Sequence, residues 1–156
     1  MRLQMGTLLQ AIVDKVAETV PGAEHYRGRL EEGFSRPAFL YLPTYHGERK
    51  RNYVTSEKTV EVQIIYFGKT DRFGREDFED RLQMQEKLDG FLNQFYLKAG
   101  DRKLHFTYEM KEVDGQVAFY LTFRFLDDAI DLRMLEAEAV EVAENLRVDA
   151  SVNEGP

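Results

Sequence analysis

His46, Arg49, Lys50, Arg51 and Lys58 crowd into one stretch, YHGERKRNYVTSEK (Tyr45 to Lys58), of a chain whose formal net charge is −7. Basic groups gathered in a loop attract a polyanion, and equally the acidic surface of another protein. Catalysis would need a nucleophile, a base or a metal. The three histidines, His25, His46 and His105, fall in separate segments without the HxH or HxxxH spacing of a metal pair. His105 shares a strand face with Thr107 and Glu109 and reads as a structural histidine, while His46 reads as a solvated loop residue. Glu76, Asp77, Glu79 and Asp80 form an acidic run that could hold a cation. In the first turns of a helix, however, such residues offset the positive end of the helix dipole. Glu31–Glu32 and Asp127–Asp128 are adjacent carboxylates whose side chains diverge, whereas paired acid–base work needs convergence. No Walker loop, GxGxxG fingerprint or GxSxG elbow occurs, and Gly68-Lys69-Thr70 lacks the upstream glycines of a phosphate loop. The reading is no enzyme, no cofactor and no metal.

Those side chains need a fold to place them. The 156 residues suit one domain with a well-formed core, and 43% hydrophobic content with 12% aromatic residues supports a packed globule. Without cysteine there is no disulfide framework, thiolate metal site or thiol nucleophile. The acidic balance disfavours nucleic acid. Apolar runs fall short of the ~18–20 residues needed to span a membrane. Asp14, Lys15 and Glu18 interrupt the N-terminal apolar run at helical spacing, which argues for mature structure rather than a signal peptide.

From Leu3 to Val20 the residues Met5, Leu8, Leu9, Ile12, Val13, Val16 and Val20 recur as in an amphipathic helix, stopped by Pro21-Gly22. Ala23 to Arg29 alternates weakly, as an edge strand. AFLYLPTY is strand-like, with Pro43 marking an edge or strand end, and the basic loop follows. TVEVQIIYF is the clearest strand, with Val60, Val62, Ile64 and Tyr66 on one face. From Arg75 to Leu97 a second helix is expected to bury Phe78, Leu82, Leu88, Phe91, Leu92 and Phe95. LHFTYEM and VAFYLTFRF flank Asp114-Gly115, a hairpin signal. The last segment differs. Leu132, Leu135, Ala139, Val142 and Leu146 step in a heptad-like stripe among glutamates, which predicts a C-terminal helix.

The expected fold is therefore α+β: one mostly antiparallel or mixed sheet of four to five strands carrying two helices, plus a C-terminal helix, in the order α-β-β-β-α-β-β-α. A single domain over 1–130 and an acidic helix with a frayed tail over 131–156 complete the organisation. Ala118, Tyr120, Thr122 and Arg124 make the outer face of the last strand mixed rather than polar, so a second subunit or the third helix is expected to meet it. The strand aromatics could instead form a base-stacking platform, but such residues favour strands for packing reasons alone.

One set of residues carries a resemblance. Glu31, Gly33, Phe34, Pro37 and Phe39 fit a glutamate–x–glycine–aromatic–x–x–proline–x–phenylalanine motif before the first long strand. Arg49, Arg51 and Tyr53 lie in the following loop, and Tyr66 ends the next strand. In this order the chain, over about residues 3–128, resembles the small tail terminator (tail completion) proteins of long-tailed phages and Gram-positive prophages. The resemblance implies a structural virion protein: a ring, typically a hexamer of identical subunits, that caps the tail tube, ends its polymerisation and offers the head-docking surface. The implied partners are the tail tube protein and a head–tail connector protein, with DNA only passing through the lumen and no membrane. The implied places are the virion tail and, during assembly, the host cytoplasm. Under this reading Arg49, Lys50, Arg51 and Tyr53 are candidates for subunit or tube contact; Leu132, Leu135, Val142 and Leu146 lie beyond the family pattern and are candidates on the strength of their apolar stripe alone. The alternative is a small non-enzymatic nucleic-acid-binding or regulatory module using the basic loop 46–58.

Overall fold

The computed structural model describes residues 2–129 and 142–143. Helix α1 (Met5–Thr19) opens the chain, followed by β1 (Glu24–Arg27), β2 (Ala38–Lys50) and β3 (Thr55–Phe67). Helix α2 (Phe78–Leu92) precedes β4 (Tyr96–Ala99), β5 (Arg102–Val113) and β6 (Gln116–Asp128). The strands form one six-stranded sheet in the order β1-β2-β3-β6-β5-β4. Only the β1–β2 pairing is parallel, so the sheet is mixed.

The period-2 pattern of β3 places its faces. Val60, Val62, Ile64 and Tyr66 are buried on one side. Register sets Val60 beside Phe123, Val62 beside Leu121 and Ile64 beside Phe119. With Phe39, Tyr41 and Phe106, these side chains meet Leu8, Ile12 and Val16 of α1 and Met84, Leu88 and Phe91 of α2 in a single core. Asp114 (φ 51°) and Gly115 (φ 78°) both occupy the left-handed region that a tight hairpin turn between β5 and β6 requires.

Several expectations need correction. The sheet has six strands, not four to five, because the segment read as the end of the second helix is β4. The helix stops at Leu92 with Asn93 as its C-cap, and Phe95 adopts φ 57°, turning the chain into an extended edge. Tyr96-Leu97-Lys98-Ala99 then pairs with Arg102–His105. A four-residue segment with three apolar side chains can be taken up equally by a helix end or a short strand, and pairing decided it. The buried stripe of α2 is Met84, Leu88, Phe91 and Leu92. Phe78 and Phe95 are exposed, and Leu82 is at the edge of exposure; at 3.6 residues per turn Phe78 and Leu82 fall outside that stripe. His105 is exposed, not packed as a structural histidine.

The basic loop is not a loop. A register shift between Pro43 and Tyr45 absorbs the proline, and β2 continues to Lys50. The residues that turn the chain are 51–54. The third helix expected from Asp131 is not seen as an element among the described residues; Leu132, Leu135, Ala139 and Leu146 lie outside them, and Val142 is exposed.

Candidate assembly surface

Candidate catalytic side chains do not converge. His25 lies against Phe39 with ring centroids 5.7 Å apart, and its Nδ1 is 2.8 Å from the Tyr41 hydroxyl. Burial lowers its pKa below the usual histidine value, as it does for an imidazole in a packed site. In the acidic run, Asp77 caps α2 by accepting from the backbone N–H groups of Glu79 and Asp80. Asp80 accepts from the Tyr66 hydroxyl at 2.7 Å and the Lys69 N–H at 3.0 Å. Among the described residues no three His, Asp or Glu side chains gather as a metal site. A groove of about 720 Å³ separates α1 from β4, lined by residues such as Gln10, Asp14, Lys15, Tyr96 and Lys98. None of the candidate site residues lines it.

The basic segment instead builds the far end of the β2–β3 hairpin. Asn52 Oδ1 accepts from the N–H groups of Val54 and Thr55, both at 2.9 Å, and shapes the turn. Lys50 lies 5.6 Å from the Tyr53 ring centroid. Strand alternation then sends the charges to opposite faces. Toward the core face, Glu48 takes a two-point hydrogen bond from Arg2 at 2.9 and 3.0 Å. Toward the outer face, cross-strand register aligns Arg49–Glu57–Leu126, then Gly47–Thr59–Arg124, then Tyr45–Glu61–Thr122. Arg51 reaches the same Glu57, and Arg49 lies 3.6 Å from it. The hydrogen bond from Arg51 holds the Glu57 carboxyl below the usual carboxylate range, and the fields of Arg49 and Arg124 add to it.

Three arginines thus surround one glutamate. Beside them, Leu126, Tyr45, Tyr53 and Val54 are all more than half exposed. Tyr45 lies over Gly47, where an added Cβ would stand 2.4 Å from its hydroxyl oxygen. A charged patch with exposed aromatic and aliphatic side chains suits a protein contact better than a phosphate grip, because Glu57 and Glu61 would repel a polyanion. Lys50 alternates to the other face beside the Tyr53 ring, whereas Arg49 and Arg51 share this one. Arg124 and Leu126 join them, which alternation hinted at only by assigning Arg124 to the outer face; the β3–β6 register supplied the rest.

Lys58 is not part of this patch. Its side chain is 5% exposed and its Nζ donates to Asp127 Oδ2 at 2.7 Å. Asp127 also accepts from Arg102 at 2.7 Å and from the N–H groups of Leu3 and Asp128, each at 2.8 Å. The adjacent carboxylates Asp127 and Asp128 do diverge. Asp127 ties the N-terminus, β3 and β5 together beneath the patch, a role the linear sequence does not mark.

The motif at Glu31–Phe39 builds the opposite end of the same face. Phe34 packs edge-on against Phe67 at 5.4 Å, and Arg36 lies over both rings while donating to the Gly68 carbonyl at 3.1 Å. Phe39 descends into the core, fully buried. Residues 7–134 match the family model of a phage tail terminator protein, a span holding nearly all of α1, α2 and all six strands. The chain belongs to the phage tail terminator family. No curated protein matches it. Tail terminators are structural proteins of the virion tail that interact with other tail and head proteins. In this terminator the Glu31–Phe39 motif is accordingly a packing device. Gly33 sits at φ +72° with open space where a Cβ would go. Gly33→Ala should then lose about 1–2 kcal/mol from backbone conformation alone, read as a lower urea midpoint with an unchanged slope. An unshifted midpoint would show that the turn relaxes freely.

Proposed function

We propose that this terminator assembles as a ring of identical subunits, six in the finished tail, that caps the tail tube. The ring ends tube polymerisation and presents the surface on which the head–tail connector docks; assembly takes place in the host cytoplasm. Residues 1–130 form the working domain, and the basic hairpin tip contacts a neighbouring subunit or the last ring of tube protein. The observation that carries this reading is the exposed arginine patch of Arg49, Arg51 and Arg124 at one end of the sheet, in a chain of a structural tail family. A chain with net charge −7 also suits a lumen through which DNA slides without sticking.

The tip should be needed for assembly and dispensable for folding. Arg49 and Arg51 side chains are 72% and 51% exposed, and substitutions at such sites usually shift stability by less than about 0.5 kcal/mol. Arg49→Ser, Lys50→Ser and Arg51→Ser together should leave the melting temperature near wild type and reduce tail completion or ring formation. Completion at the wild-type level would remove the tip from the contact. Salt-sensitive DNA binding by a monomer, lost in the same variant, would favour a nucleic-acid role instead.

A further inference from the structure

The tip lies where the chain leaves the described domain. β6 ends at Asp128, opposite Thr55, and the Ala129 N–H donates to the Val54 carbonyl at 3.0 Å, inside the hairpin turn. The residues that follow carry Asp131, Glu136, Glu138, Glu141, Glu144, Asp149 and Glu154 against Arg133 and Arg147, a net of −5 over 131–156. A strongly acidic part of the sequence therefore starts beside the exposed arginines.

We propose that the segment 131–156 occupies the patch of Arg49, Arg51, Arg124 and Leu126 in the free subunit, and is displaced when an acidic partner surface docks there. The proposal deepens the reading of the tip as an assembly contact and rests on it. Reach is no obstacle. Arg49 is two strands from Leu126, ~10 Å at ordinary strand spacing, while seven residues from Ala129 to Glu136 can span up to ~25 Å. Tethering decides the choice between own and neighbouring segment. A short flexible tether gives an effective concentration in the millimolar range, which a second copy at micromolar concentration cannot match. Charge supplies the attraction, and the exposed Leu126, Tyr53 and Val54 offer apolar cover to Leu132 and Leu135. Exposed ion pairs are individually weak, so the segment holds the patch loosely enough for a better-matched partner to replace it.

The chain has no cysteine, so Val140→Cys gives a single attachment point for a nitroxide on the full-length protein. Amides of Arg49–Val54 and Leu126 should broaden in its NMR spectrum, and those of β1, paired with the opposite end of β2, should not. The broadening should fall to the β1 level in Arg49→Ser/Arg51→Ser/Arg124→Ser, and also in the unchanged chain at about 1 M salt, where the Debye length is roughly 3 Å. A mixture of labelled unenriched protein with isotope-enriched unlabelled protein should show none of it. Tip broadening that survives both the arginine changes and salt, or its absence, overturns the proposal. Broadening that persists in the mixture assigns the segment to a neighbour and also overturns it. Because the label reports the segment without reference to tails, failure here is distinguishable from failure of the tip variant in tail completion.

Discussion

Asp127→Asn should cost this terminator about 3–5 kcal/mol, the usual penalty for leaving one member of a buried ion pair without its partner. The Asp127 side chain has no exposure, and Lys58 retains 5%. With the carboxylate gone, the Lys58 ammonium is left with neutral acceptors, the new amide oxygen and the Leu3 carbonyl at 3.4 Å, in place of its contacting counter-charge. Such a loss is a large share of a domain's margin of roughly 5–15 kcal/mol. Combining it with Lys58→Met should recover much of the loss, since replacing both partners by groups of similar size is often close to neutral. The effect has a pH signature. Burial pushes the Asp127 carboxyl up, but the hydrogen bonds from Lys58, the Leu3 and Asp128 N–H groups and Arg102 outweigh it and hold it well below its ordinary 3.8. The folded state then binds fewer protons than the unfolded state. Stability from this group is fully present above the unfolded value and is lost as pH falls below it. Urea midpoints of Asp127→Asn should lack that acid-side slope. A neutral-pH midpoint equal to wild type would mean that the ion pair contributes nothing net.

Phe39→Ala should be comparably severe, about 3–5 kcal/mol, as for a fully buried phenylalanine. Phe39 has no exposed surface and stands 4.9 Å from the Tyr66 ring and 5.7 Å from His25. Removing it takes packing from β1, β2 and β3 at once, and rigid ring neighbours collapse poorly into the space. Equilibrium unfolding in urea measures it. A loss under about 1 kcal/mol would mean that the neighbouring aromatics refill the site.

These two sites differ in how legible they were. Phe39 could be assigned from alternation, because a strand with period 2 must turn one set of side chains inward. The same rule placed Val62 and the apolar face of β6, and helical spacing placed α1. The opening motif likewise carried the family resemblance before any pairing was known, because Gly33, Phe34, Pro37 and Phe39 are local requirements of one turn and one strand start. Asp127 could not be assigned this way. Its partners Lys58, Arg102 and Leu3 are 69, 25 and 124 residues away, and only the sheet register brings them together.

By itself, then, the sequence determined the apolar faces of α1, β3 and β6, where α1 and the β5–β6 turn fall, and that basic residues gather before β3. These depend on periodicity and turn chemistry within a few residues. Tertiary structure alone decided that Tyr96–Ala99 is a strand, since so short a segment takes the form its partner offers. It decided that β2 runs through Pro43, because a bulge can take up a missing donor when the strand beyond still finds β3. It also split the basic cluster, sending Lys58 inward to Asp127 and turning Arg49 and Arg51 outward beside Arg124. The physical reason is the same throughout: a side chain's face and neighbours in a sheet follow from register, and register is a property of strands far apart in sequence.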